Sequence, residues 1–339
     1  MRRTLRSGAL VLVLLGCGGG SSAGGATSSG GEEPIEFDDE AAARRAPPAS
    51  EEVTQAEQLI AQGEPDRAVP LLEAAIERDP RDVRARLDLG LAHEMREDLP
   101  AAERAYRGAI EVDPTFAEAL NNLGALLRDT ERGEEGIAML RRAVEARPGL
   151  ASAHLNLALA LEDAGDDAGA ENEYRTVMRL APRDPASRTA LAMILLSRGE
   201  RDQALIELRR ALPLAEGSRA DLAAIGNGLR RAGDADLAVR ALGEAIAAED
   251  APAPPALRAE LALAEYAAGQ REAAEARIRE IIRDEPSYPD AHWVLANMLA
   301  AREAWRDAAT EYQTFLRMAP DAPEAAQARA RLEHVRAQR

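Results

Sequence analysis

Along residues 49–322, apolar and small side chains recur at spacings of three and four, and the whole arrangement repeats every 34 residues. Spacing of three and four marks one face of a helix, so each period predicts helices with a buried stripe. Eight units start at Ala49, Val83, Ala117, Ala151, Pro185, Arg219, Pro255 and Pro289. Position 7 of the unit carries Leu89, Leu123, Leu157, Leu191, Ile225, Leu261 and Leu295, failing only at Gln55. Position 24 carries Leu72, Tyr106, Leu140, Tyr174, Leu208, Leu242, Ile278 and Tyr312. All sixteen residues at positions 8 and 20 are Gly or Ala, as two helices crossing at close range require. Glycine at position 15 (Gly63, Gly165, Gly199, Gly233, Gly269) suits the left-handed end of a first helix. Prolines such as Pro80, Pro114, Pro148 and Pro182 stop the second helix, because proline cannot continue it.

A unit of this length cannot bury its apolar face alone, so neighbours must stack into one continuous core. Two units are irregular: the fifth ends in Glu216-Gly217-Ser218, and the sixth runs two residues over length through Ala251-Pro252-Ala253-Pro254. A change of pitch or a hinge is expected there. Beyond the eighth unit, residues 323–339 open at Pro323 and predict a capping helix with Ala325, Ala328, Leu332 and Val335 on its apolar stripe. These markers resemble the tetratricopeptide repeat family, whose unit is a helix-turn-helix. The resemblance covers residues 49–322 and implies an all-α, right-handed solenoid of eight repeats.

The amino terminus is of another kind. Arg2, Arg3 and Arg6 precede the apolar run Ala9–Leu15, which is far too short to span a bilayer. Leu14-Leu15-Gly16-Cys17 resembles a bacterial lipobox, which makes residues 1–16 a lipoprotein signal peptide and Cys17 the lipidated first residue of the mature chain. Gly18 replaces the Asp that often retains such proteins in the inner membrane, so the outer membrane, facing the periplasm or the cell surface, is the expected location. Residues 17–48, Gly/Ser-rich and then acidic, form a disordered tether. An ordinary secretory signal is the competing reading.

Charge and composition exclude several functions. A net charge of −17, with Arg alternating with Asp and Glu, argues against nucleic acid, which needs a clustered basic face. One cysteine makes neither a disulfide nor a structural zinc site. The serine motif at Gly20–Gly24 lies in the tether, and His93-Glu94 lacks a second histidine. His154 and His292 share position 4, a packing slot. No enzyme, cofactor, metal site or small-molecule substrate is expected.

In the tetratricopeptide family the first helix of each unit lines the concave face through positions 2, 5, 6, 9, 12 and 13. The resemblance places Asp88, Asn121, Asn122, Arg128 and Asn156 there in units two to four. Asn227, Arg230, Arg231, Trp293 and Asn297 follow in units six and eight. Asp88, Asn122 and Asn156, all at position 6, resemble the asparagine ladder of the O-GlcNAc transferase repeats, where amides grip a peptide backbone; alternatively they bond to the next helix. Trp293 is either an interface anchor or a packing residue. The expected function is a membrane-anchored periplasmic scaffold for a protein or peptide segment of a cell-envelope complex, with type IV pilus or motility assembly as the nearest analogy. The alternative is an envelope spacer without a specific ligand.

Overall fold

Seven of the eight first helices begin at the very residue that the repeat register assigns as position 1. A computed structural model describes residues 50–130, 132–248 and 251–338, and it contains seventeen α-helices and no strand among them. The signal peptide, Cys17 and the tether lie outside the described residues.

Residues 50–182 and 183–338 form two compact units. The first unit holds four hairpins: α1 (Glu51–Ala61) with α2 (Pro65–Arg78), α3 (Val83–Met95) with α4 (Leu99–Val112), α5 (Ala117–Arg128) with α6 (Gly133–Ala146), and α7 (Ala151–Asp163) with α8 (Asp167–Leu180). The second holds α9 (Pro185–Ser197) with α10 (Arg201–Ala211), α11 (Arg219–Ala232) with α12 (Ala235–Ala247), α13 (Pro255–Ala267) with α14 (Arg271–Asp284), and α15 (Pro289–Ala301) with α16 (Trp305–Met318). A last helix, α17 (Ala325–Ala337), packs on α16 and buries the expected stripe Ala325, Ala328, Leu332 and Val335. The over-length segment at 251–254 lies inside the second unit, away from the 182/183 boundary.

Helix limits follow from local chemistry. Asp82, Asp184 and Ser218 cap first helices, and Asp98, Asp166 and Asp234, all at position 16, cap second helices by accepting an amide three residues on. Such caps satisfy donors that a helix start otherwise leaves free. In the fifth unit Pro213 replaces the usual later proline, so α10 stops at Ala211 and Leu212–Leu214 tightens into a 3₁₀ turn. Position 15 is left-handed wherever it is described. The five glycines there have φ of 77° to 99°, while Glu97 and Glu303 adopt φ of 60° and 66° without the freedom of glycine.

The core runs between paired helices. Position 8 of the first helix faces position 24 of the second, and every position-24 side chain is buried. At Gly124 an added Cβ would stand 2.5 Å from Leu140 Cγ and 3.0 Å from the Gly136 carbonyl oxygen, so α5 and α6 meet backbone to backbone. At position 7 Leu123, Leu157, Leu191, Ile225, Leu261 and Leu295 are buried, Leu89 is half-buried and Gln55, the one polar residue there, is exposed.

Candidate functional site

Within each unit, first helices touch first helices: α1 with α3 and α5 with α7, then α9 with α11, α11 with α13 and α13 with α15. This contact builds a wall of first-helix side chains, and the residues expected to bind stand on it at fixed register.

In the first unit the asparagines bond to one another. Asn156 Nδ2 donates to Asn121 Oδ1 at 2.9 Å, across two hairpins, and Asn121 Nδ2 donates to Asn122 Oδ1 at 3.1 Å. Arg128 pairs with Asp129 at 3.0 Å and lies 3.9 Å from Asp163. Asp88 is 7% exposed, and its Oδ2 is enclosed without a hydrogen-bond partner. Burial, reinforced by the Glu57 charge, pushes its carboxyl up to about 7, against an opposing pull from Arg84.

Two tyrosines at position 24 pass the small residue at position 8 and reach glutamates at position 12. Tyr174 Oη donates to Glu162 Oε2 at 2.8 Å. The Tyr106 hydroxyl stands beside Glu94 and Asn122 but completes a hydrogen bond to neither. Desolvation lifts Glu94 to about 7, opposed by Tyr106, and burial also raises the Tyr106 phenol far above its ordinary range. Glu94, Tyr106, Glu162 and Tyr174 are not among the wall residues expected from the sequence. Their shared signal was present: a glutamate and a tyrosine twelve apart, at equal positions of units two and four.

The second unit engages its candidates differently. Arg230 pairs with Glu260 at 3.0 Å and donates to Asn227 Oδ1 at 3.3 Å, while Arg231 reaches Met193 Sδ at 3.7 Å. Trp293 packs against Tyr312 and Phe315, with ring centres 5.7 Å and 5.5 Å away, and the Arg331 guanidinium lies 5.2 Å from its ring centre. Asn297 Oδ1 accepts from Tyr312 Oη at 2.7 Å and also from Arg331 Nη1. Arg331 lies 34 residues beyond Asn297, so α17 repeats the register of a first helix and brings a cation over the tryptophan. The aromatic face and the amide hold this exposed residue of the capping helix against α15.

Position 4 holds links rather than mere packing. His154 bonds Glu173 and His292 bonds Glu311, both at 2.6 Å, and Arg188 pairs with Glu207 at 2.9 Å. Each link joins position 4 to position 23 within one hairpin. Among the described residues no group of three His, Cys, Asp or Glu could hold a metal ion, and no helix is long and apolar enough to cross a membrane.

A tetratricopeptide repeat profile matches residues 53–115, 96–151, 121–185, 155–219 and 259–323. The chain belongs to the tetratricopeptide repeat family. Solved structures share this fold at low identity. A chain of the APC/C Cut9–Hcn1 hetero-tetramer superposes with a TM-score of 0.56 at 15% identity, covering 84% of this chain and 55% of that one. This chain therefore spans about half the length of that relative. The type IV pilus biogenesis factor PilW gives 0.52 at 21% identity, covering 59% of this chain and 94% of that one. Yeast Tom70 gives 0.51 at 15% identity, covering 91% and 67%. No curated protein matches the sequence. Tetratricopeptide repeat proteins are in general non-enzymatic scaffolds for protein or peptide partners.

Proposed function

We propose that this chain is a lipid-anchored scaffold of the bacterial cell envelope, tethered through Cys17 and holding a protein segment on its first-helix wall near the outer membrane. The observation that carries the reading is the pairing of a lipobox-like Leu14-Leu15-Gly16-Cys17 with a repeat array whose first helices present amides and carboxylates in register. Hydrogen-bonding side chains at one register can follow an extended backbone, with specificity left to a few anchors. Assembly of type IV pili is the specific role we favour. Its support is fold likeness to PilW and to Pseudomonas aeruginosa PilF, the latter at a TM-score of 0.52 and 21% identity.

Two variants test this reading in cells. Cys17→Ser should shift the protein from the membrane fraction to the soluble periplasmic fraction; retention in the membrane fraction would refute the anchor. Asn122→Ala combined with Asn156→Ala should keep full helicity by circular dichroism and lose a crosslinked partner identified by mass spectrometry. An unchanged partner profile would favour an envelope spacer. The bonds among Asn121, Asn122 and Asn156 favour that second reading, because they occupy part of the amides' bonding capacity within the wall.

A further inference from the structure

We propose that the first unit seats its partner through lysine or arginine side chains, the cations lying against the row of carboxylates from Asp88 to Glu162. The inference deepens the scaffold reading and rests on it.

The wall of the first unit is complementary to a cationic partner. Over the six wall positions of the first four hairpins, seven carboxylates stand against two arginines, Arg84 and Arg128. Both arginines are already engaged: Arg84 with Glu57 at 2.6 Å, Arg128 with Asp129. Among the described residues no arginine pairs with Asp88, Glu94 or Glu162. The same positions of the second unit hold two carboxylates and two arginines, with Met193, Leu263 and Trp293 between them. The acidic character therefore belongs to one stretch of wall and is not the average acidity of the chain.

Asp88 Oδ2 is enclosed and has no hydrogen-bond partner, whereas the Tyr106 hydroxyl, enclosed as well, has Glu94 and Asn122 beside it. A buried carboxylate oxygen left unpaired is costly, and a guanidinium or ammonium supplies to Asp88 the missing donor together with the opposite charge. Burial holds Asp88 and Glu94 largely protonated below pH 7. An arriving cation favours their ionised form, so each carboxyl that ionises releases its proton to solvent and the cation takes its place. Ordinary surface carboxylates, ionised throughout this range, release none.

The test is fluorescence anisotropy with the full chain and labelled peptides in which arginine alternates with serine, or in which glutamine or glutamate replaces the arginine. The arginine peptide should bind about five- to tenfold more tightly at pH 8 than at pH 6, through linkage to carboxyls that titrate near 7. Asp88→Asn with Glu94→Gln should weaken it at least about fivefold and flatten that pH dependence. Glu73→Gln with Glu77→Gln, an equal charge change on exposed positions of α2, should do neither. Failure of the arginine peptide to bind overturns the inference, as does equal binding by the Asp88/Glu94 variant or an equal loss in the Glu73/Glu77 variant. If the glutamine peptide binds as tightly, the inference falls while the scaffold reading survives.

Discussion

At the residue scale, the most consequential side chain is one that breaks the rule for buried carboxylates. Asp88 occupies the position where two later units place asparagine, and it is enclosed with one oxygen unpaired. Its carboxyl is raised by burial to about 7, well above the range of an aspartate in an unfolded chain. A folded state that keeps its proton to higher pH gains stability at low pH and loses it as pH rises through the folded value. The first unit should therefore resist urea better at pH 5.5 than at pH 8, through this residue and Glu94, whose carboxyl burial also raises to about 7. Asp88→Asn should remove about half of that dependence, leaving the part that Glu94 carries, and raise stability at pH 8 by at least about 1 kcal/mol. Urea titrations at the two pH values check it, and a wild-type unit that is more stable at pH 8 would count against it. The register puts Asp88 at position 6 of α3, which starts at Val83 as expected. Its isolation from any partner was not legible, because that depends on where the Arg84 and Tyr106 side chains come to rest.

At the scale of elements, almost everything was readable. Positions 8 and 24 are complementary, one small and one large, so hairpin geometry follows from the sequence with little freedom left. The helix starts at Val83, Ala117 and Ala151 were set by the register itself, and Pro213 explains the one second helix that stops early. What register could not convey was the use of position 4. A histidine there reads as bulk, yet His154 and His292 each reach a glutamate nineteen residues on, and Arg188 makes the same reach. One element carries a visible defect. Pro70 sits inside α2 at an exposed position, where it cannot donate to the Asp66 carbonyl. Pro70→Ala should restore that bond and stabilise the chain by about 1–2 kcal/mol, less than the full helix penalty because the unfolded chain also gains freedom. Thermal unfolding followed at 222 nm reports it; an unchanged or lower midpoint would show that the proline ring is compensated elsewhere.

Across the whole molecule, stability in a stack of hairpins is assembled from local terms and nearest-neighbour contacts. Leu242, fully buried at position 24 of α12, contacts the region of Gly226 within its own hairpin. Leu242→Ala should cost about 2–5 kcal/mol. The loss should be uneven: amide protection should fall first in α11 to α13 and less toward α16, as hydrogen exchange resolves. Uniform loss through the second unit would indicate a single cooperative block instead. The contrast in wall charge between the two units was equally present in the sequence. It emerges only when residues are counted by repeat position, since the chain-wide charge of −17 hides it. The mutual bonding of Asn121, Asn122 and Asn156 was not legible, since an amide's choice between a neighbour and an incoming backbone is decided by side-chain torsions.

The links from position 4 to position 23 have an evolutionary corollary. Each closes inside one 34-residue block, as does the contact between positions 8 and 24. A recombination that duplicates or deletes a whole block thus severs none of them; it alters only the seams where blocks abut. Genes encoding such chains can lengthen or shorten by unequal crossing-over, while selection is left to refit the joins.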